Sequence, residues 1–149
     1  MRAVVQRVLA ASVSVDGERI SSIGPGLLVL AAVGKGDSEA DVSLIADKLC
    51  NLRVFEDSVG KMNLNVSQSG GAMLIVSQFT LFGDVRKGNR PSFDGAELPA
   101  QAQFLFDQLV AAVSQRQVSV STGKFRTEMK VELINDGPVT ILLDSRKLF

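Results

Sequence analysis

An unbroken apolar run, Leu27-Leu28-Val29-Leu30-Ala31-Ala32-Val33, most constrains how this chain can fold. It is far shorter than the ~20 residues that cross a bilayer, so it reads as a buried strand. A second stretch, Gly71-Ala72-Met73-Leu74-Ile75-Val76-Ser77-Gln78-Phe79, starts apolar and emerges at polar residues. It reads as another buried strand, and the end of such a strand is a common place for a site.

The apolar spacing changes to a helical one between Ser38 and Arg53, where Val42, Ile45, Ala46, Leu49 and Leu52 recur and Ser38 with Asp41 is arranged like a helix start. A second helix is expected from about Leu98 to Gln115, with Pro99 in its first turn and Phe104, Leu105, Leu109, Ala112 and Val113 as its core stripe. The rest reads as β-structure. Val4, Val8, Val13 and Val15 lie in β-rich segments, and Asp16-Gly17 before Arg19-Ile20-Ser21 signals a hairpin. Val118 and Val120 suggest a short strand, Met129, Val131 and Leu133 alternate, and Val139 to Leu143 form a last apolar run, with Asn135-Asp136-Gly137-Pro138 as the turn between the last two. The pattern predicts two mostly β layers with helices on one side. With no internal repeat and no linker-like tract, residues 1–149 are expected to form one domain.

Charge and composition narrow the chemistry. Sixteen basic and sixteen acidic side chains cancel, so a nucleic-acid partner would have to be met by a local basic patch. A single cysteine, Cys50, cannot form an internal disulfide and suits a reducing cytoplasm; it reads as a buried bystander. Gln6 and Arg7 interrupt the first apolar stretch, which therefore does not read as a signal peptide, and no membrane association is expected. The chain has no histidine, which removes the usual general base, the usual zinc ligands and the Ser-His-Asp arrangement. Its carboxylates are scattered rather than clustered, so neither a metal nor another cofactor is expected, and activity should survive a chelator.

Two segments stand out. In Ser77-Gln78-Phe79-Thr80-Leu81-Phe82-Gly83-Asp84, hydroxyl, amide and aromatic groups follow a strongly apolar strand. Residue types alone leave open whether they form a site or whether Ser and Thr bond their own backbone, as is common at strand ends. In Asn135-Asp136-Gly137-Pro138-Val139-Thr140, Gly permits unusual dihedrals and Pro permits a cis bond. Only about 5–6% of X-Pro bonds in folded proteins are cis, so taken alone the segment favours a trans connection.

Together, these segments resemble the two signature motifs of D-aminoacyl-tRNA deacylases, Ser-Gln-Xaa-Xaa-Thr and Asn-Xaa-Gly-Pro-Xaa-Thr, in the same order and spacing. The resemblance extends over nearly the whole chain, through Met1-Arg2-Ala3-Val4-Val5-Gln6-Arg7-Val8, Lys87-Gly88-Asn89-Arg90-Pro91-Ser92-Phe93, and Thr122-Gly123 leading to Phe125 and Met129. It implies an α/β fold, a three-layer α/β/β arrangement of mixed β-sheets with two main helices packed on one side. It implies an editing enzyme that hydrolyses the ester of D-aminoacyl-tRNA, and of mischarged glycyl-tRNA, and that works as a homodimer whose active sites lie at the subunit interface.

By the same resemblance, Ser77, Gln78, Phe79 and Thr80 hold the 3′-terminal adenosine and the ester, with backbone N–H groups near Phe79 and Thr80 as oxyanion donors. Gly137-Pro138 is implied to be a cis peptide reaching into the partner's pocket and excluding an L side chain. Asn135 and Thr140 brace it, Arg7 caps it, and Phe125 and Met129 belong to the pocket. Thr80 is the tempting nucleophile, yet no His or Lys in its motif could activate it. The favoured route lets the ribose 2′-hydroxyl assist attack by water; a Thr80 esterase and a non-catalytic RNA- or acyl-binding module are the alternatives. The basic stretch Arg86-Lys87-Gly88-Asn89-Arg90 reads equally as a contact for acceptor-stem phosphates and as a solvated connection. Arg126-Thr127-Glu128 departs from the family, which more often carries small residues there, and puts glycine acceptance in question.

Overall fold

The computed structural model describes residues 1–149. β1 (Arg2–Val15) and β2 (Glu18–Ile23) form a hairpin turned at Asp16 and Gly17, with φ of 52° and 84°. Two successive positive φ values are what a two-residue turn matched to strand twist requires. β3 (Gly26–Ala32) continues in line with β2, so the two pair in series along one edge of β1. The other edge of β1 is taken along its length by β8 (Lys130–Asp144). Beyond β3, the parallel strands β6 (Ala72–Ser77) and β7 (Ser119–Thr122) complete a six-stranded sheet. β4 (Phe55–Glu56) and β5 (Met62–Leu64) form a separate small hairpin that sequence periodicity, with so few residues, does not announce.

Both faces of the central strands are buried, which is why the Leu27–Val33 run is continuous rather than alternating. Leu27, Val29, Ala31, Met73 and Ile75 pack on one side against Ile45 and Leu49 of α1 (Glu39–Asn51) and Leu105 and Leu109 of α2 (Pro99–Ser114). Leu28, Leu74 and Val76 turn to the other side and meet Val8, Ala11 and Val13 of β1, with Met129 and Val131 packed against them. Register shifts in the β1–β8 ladder around Val8 bend the long strands, as bulges do, so the sheet closes over its own second face. The result is an α/β fold of helices, sheet and folded-over sheet, in the order the sequence leads one to expect.

The helix start at Ser38 is as expected. Its N–H and hydroxyl donate to the Asp41 carboxylate at 2.8 and 3.0 Å. Burial pushes the Asp41 carboxyl up, but hydrogen bonds from Ser145 and Ser38 outweigh it and hold the group below its usual range. Two expectations need correction. Phe104 is not in the stripe of α2: it is 53% exposed, and Phe106 takes the core place instead. At 100° per residue Phe104 falls on the opposite flank from Phe106 and outside the arc of Leu105, Leu109 and Val113. Asn135-Asp136-Gly137-Pro138 is not a turn between two strands, because the chain runs through it without reversing, and residues on both sides pair antiparallel with β1.

Candidate active site

The site is built where β6 runs out of neighbours. Ser77 is the last residue paired with β3, opposite Ala31, and the Gln78 N–H donates to the Ala31 carbonyl at 2.8 Å. The chain then tightens into a 3-10 turn, Phe79–Phe82, closed by Leu81 N–H to the Gln78 carbonyl at 3.1 Å and Gly83 N–H to the Thr80 carbonyl at 2.9 Å. The N–H groups of Phe79 and Thr80 head this turn, where a helical turn offers no internal acceptor. Arg2 holds the turn from behind: its Nη1 donates to the Leu81 carbonyl at 3.0 Å, its guanidinium lies 4.6 Å from the Phe82 ring centre, and its Nε pairs with Asp144 at 3.1 Å.

In front of the turn lies a cavity of about 750 Å³. Its walls come from the ends of β3 and β6 with Ser77, Gln78 and Phe79, from the Phe93–Leu98 loop, from Ala102 and Phe106 of α2, and from Phe125 to Met129. Most of the lining is apolar. Phe79 is exposed and meets Phe93 edge-on at 5.2 Å, and Phe106 lies 6.0 Å from Phe125. The lining also carries Lys35, Asp94, Glu97 and Arg126. Thr80 is not part of the wall; its hydroxyl accepts a hydrogen bond from the Gln78 side-chain amide, and no carboxylate or amine is bonded to it. The alternative in which Ser77 and Thr80 spend their hydroxyls on their own backbone is not what the side-chain bonds show.

The second group of expected residues assembles elsewhere. Arg7, only 8% exposed, donates through Nε to the Asp136 carbonyl at 3.0 Å and pairs with its carboxylate at 2.9 Å, while Nη1 donates to the Val54 carbonyl at 2.5 Å. Gln6 donates to the Asn135 side chain at 3.3 Å, and Thr140 stands opposite Gln6 in the β1–β8 ladder. The Gly137–Pro138 peptide is cis, and both residues are exposed. Gly137 does not have a positive φ; a Cβ there would displace the exposed Asn135 amide and lie 3.0 Å from the Val139 nitrogen.

The structure therefore brings Ser77, Gln78, Phe79, Phe125 and Met129 to one cavity, and Arg7, Asn135, Gly137, Pro138 and Thr140 to a different part of the sheet. Val131 at the start of β8 lines the cavity, and Gly137 lies six residues further along that strand, roughly 20 Å at ~3.3 Å per residue. Sequence reasoning missed Arg2, Phe106 and the Glu97–Ala102 wall, which no local pattern ties to Ser77. Phe93 was within reach, since it closes a loop already noted. Of Arg126-Thr127-Glu128, the departure from the family pattern, Arg126 and Thr127 line the cavity, with Arg126 at φ 58° and the Thr127 hydroxyl donating to the Lys124 carbonyl at 2.9 Å.

Comparison with known proteins identifies the family and the fold. The family model described as D-Tyr-tRNA(Tyr) deacylase matches residues 4–144. The chain is 59% identical over 149 residues to a D-aminoacyl-tRNA deacylase of Thermoanaerobacter sp. (strain X514), covering all of both chains. It is 58% identical over 145 residues to one of Myxococcus xanthus (strain DK1622), covering 97% of this chain and 95% of that one. A solved structure titled c-Myc DNA Unwinding Element Binding Protein superposes with a TM-score of 0.91 at 41% identity, covering 97% and 98% of the two chains. A probable eukaryotic D-amino acid tRNA deacylase, at 16% identity, shares the fold with a TM-score of 0.80 over 95% and 97% of the chains. With its family model matched over most of its length and curated relatives more than half identical end to end, this chain belongs to the D-Tyr-tRNA(Tyr) deacylase family.

Proposed function

We propose that this chain edits aminoacyl-tRNA in the cytoplasm, hydrolysing the ester between tRNA and a D-amino acid or glycine and leaving L-aminoacyl esters intact. The cavity at Ser77–Phe79 takes the terminal adenosine and its aminoacyl group; its volume falls within the few hundred to ~1,000 Å³ typical of small-molecule sites. The N–H groups of Phe79 and Thr80 are the donors proposed for the oxyanion.

The observation that carries the mechanism is the absence of an activated nucleophile. Thr80 has only a neutral amide on its hydroxyl, the chain has no histidine, and a hydroxyl without a base is a weak nucleophile. The ribose 2′-hydroxyl is already beside the ester, and such proximity contributes ~7–11 kcal/mol, so it can assist the attack of water without a protein base.

Handedness is proposed to be tested by Gly137 and Pro138 of a second copy. In its own chain Gly137 lies six residues along β8 from Val131 in the cavity wall, roughly 20 Å at ~3.3 Å per residue, and the pair is exposed yet anchored through Arg7 and Gln6. A fixed backbone corner can reject one configuration of any side chain, which a pocket shaped to one side chain cannot. Exposed Leu133, Ile134 and Leu142 on β8 supply apolar surface for such a pairing.

Three substrates test the reading: D-tyrosyl-tRNA, L-tyrosyl-tRNA and D-tyrosyl-tRNA ending in 2′-deoxyadenosine. Only the first should turn over, the last binding without hydrolysis. Equal rates on the first two would remove the handedness filter, and normal turnover of the third would remove the RNA-assisted step.

A further inference from the structure

A second cavity, of about 940 Å³, lies on the far side of the Phe79–Phe82 turn. Asp94 lines both cavities, and the turn between them is short, since three steps at ~2.0 Å of rise make about 6 Å. Phe79 at one end of the turn lines the first cavity and Phe82 at the other lines the second, so the two are neighbours.

We propose that this annex takes the RNA strand immediately 5′ of the terminal adenosine, holding its phosphates through Lys87 and Arg90. The inference rests on the editing reading above and extends it to the recognition of the polynucleotide.

Charge points to a polyanion. Four cations line the annex, Arg2, Arg86, Lys87 and Arg90, against the carboxylates of Asp84 and Asp94, in a chain whose total charge is zero. Two of the cations are already committed. Arg86 makes a two-point contact with Asp84 at 2.9 and 2.6 Å, and Arg2 pairs with Asp144. Hydrogen bonds from Arg86 hold the Asp84 carboxyl well below the usual range, so the pair stays ionised and self-compensated. Lys87 and Arg90 make no ion pair within the chain and remain free for phosphate.

The loop that carries them is organised in advance. Asp84 and Ser92 exchange backbone hydrogen bonds at 2.7 and 3.0 Å, and Asp84 also accepts from the Arg86 N–H at 2.9 Å. Both cations therefore project from a closed loop beside the cavity rather than from a free tail. Exposed Phe149, whose ring lies 5.6 Å from the Arg2 guanidinium, adds an apolar face on which an unpaired base could stack. Paired cations with an aromatic face suit a single-stranded RNA end better than a free phosphate.

The test compares the wild-type enzyme with the Lys87→Gln/Arg90→Gln double variant on D-tyrosyl-tRNA and on 3′-O-D-tyrosyl-adenosine, which lacks the polynucleotide. For single strands each phosphate contact contributes ~0.7 to the slope of log affinity against log salt, so the variant should lose about 1.4 of that slope on tRNA. The ratio of kcat/KM on tRNA to kcat/KM on the adenosyl ester should fall about tenfold at moderate salt. An unchanged slope and ratio would overturn the annex, as would a wild-type enzyme that handles both substrates equally well. A duplex DNA that competes as strongly as uncharged tRNA would overturn its assignment to an RNA end. If the wild-type enzyme hydrolyses neither substrate, the editing reading itself fails, a result distinct from the others.

Discussion

Gly34 sits just past β3, and replacing it with alanine should disturb the candidate site through a single contact. A Cβ built there lies 2.5 and 2.8 Å from Phe82 Cζ and Cε1, and 3.3 Å from Asp37 Oδ2. Carbon atoms rest at ~3.5–4.0 Å, so something must move by about 1 Å. The ring is not free to do so, since the Arg2 guanidinium lies over it and Arg2 also holds the Leu81 carbonyl. Nor is the backbone free: the Gly34 N–H donates at 2.6 Å to Asp37, a fully buried carboxylate that also binds the Met1 ammonium at 2.6 Å and Arg146 at 2.8 Å. Gly34 does not have a positive φ, so the cost is contact and not backbone strain. Overpacking of this kind costs ~1–3 kcal/mol, and at ~2–4 °C per kcal/mol for a domain of this size, about 2 kcal/mol lowers Tm by about 4–8 °C. The displaced turn carries Phe79 and Thr80, and a ~1 Å error in a site can cost ~100-fold, so kcat/KM should fall well beyond what the stability loss explains. A double-mutant cycle with Phe82→Ala, read by denaturant unfolding and by deacylation, isolates the contact. Gly34→Ala should cost less than ~0.5 kcal/mol once the ring is gone. An equal cost in both backgrounds would refute the reasoning.

Arg7→Met should cost about 2–3 kcal/mol, because it strips the Val54 carbonyl of its donor and releases Asp136. Urea unfolding measures it, and a loss below ~1 kcal/mol would mean that solvent replaces the guanidinium. Gln117, just past the end of α2, has a φ of 61°, so Gln117→Gly should raise stability by ~1 kcal/mol in the same assay, and a loss would show that its side chain matters more than its backbone. Hydrogen bonding depresses the carboxyls of Asp57, from Lys61 and Val59, and Asp84, from Arg86. Depressed carboxylates stabilise the fold above their unfolded value of about 3.9 and lose that contribution as pH falls through the lower folded value. With no histidine to titrate, Tm should hold from pH 7 down to about 5 and drop below about 4; a drop between 7 and 5 would contradict this.

How much of this was legible in the sequence depended on how local the signal was. The buried strands and both helices were readable because their apolar spacing lies within the elements themselves, and the hairpin because Asp16-Gly17 names its own turn. The Asn135–Pro138 segment misled for the same reason: read locally, its residue types spell a turn, and only pairing with β1 on both sides keeps the chain extended. The surroundings of Gly137 were likewise hidden, since what a Cβ there would meet first is the Asn135 amide, a contact no dihedral preference announces. Ser77 and Phe79 could be nominated from a strand that ends in polar residues, but Arg2 reaches Leu81 across 79 positions of sequence, and nothing in either residue announces the other.

Distance along β8 gives the proposed site its most demanding consequence. Val131 of β8 lines the cavity, but Gly137 lies six residues further along that hydrogen-bonded strand, roughly 20 Å at ~3.3 Å per residue, so no modest motion brings Gly137 to Ser77 within one chain. The proposed handedness filter, which uses both, accordingly draws them from two copies, and the exposed apolar side chains of β8 lie on the strand that carries Gly137 and Pro138. Discrimination and hydrolysis would then depend differently on dilution. On this proposal a lone copy keeps its cavity, the N–H groups proposed as oxyanion donors and the substrate's own hydroxyl, but lacks the second copy's Gly137-Pro138 to repel an L side chain. Dilution that separates the copies should thus erode the preference for D over L before it abolishes cleavage, whereas selectivity that survives in a demonstrated monomer would place the filter inside the cavity itself.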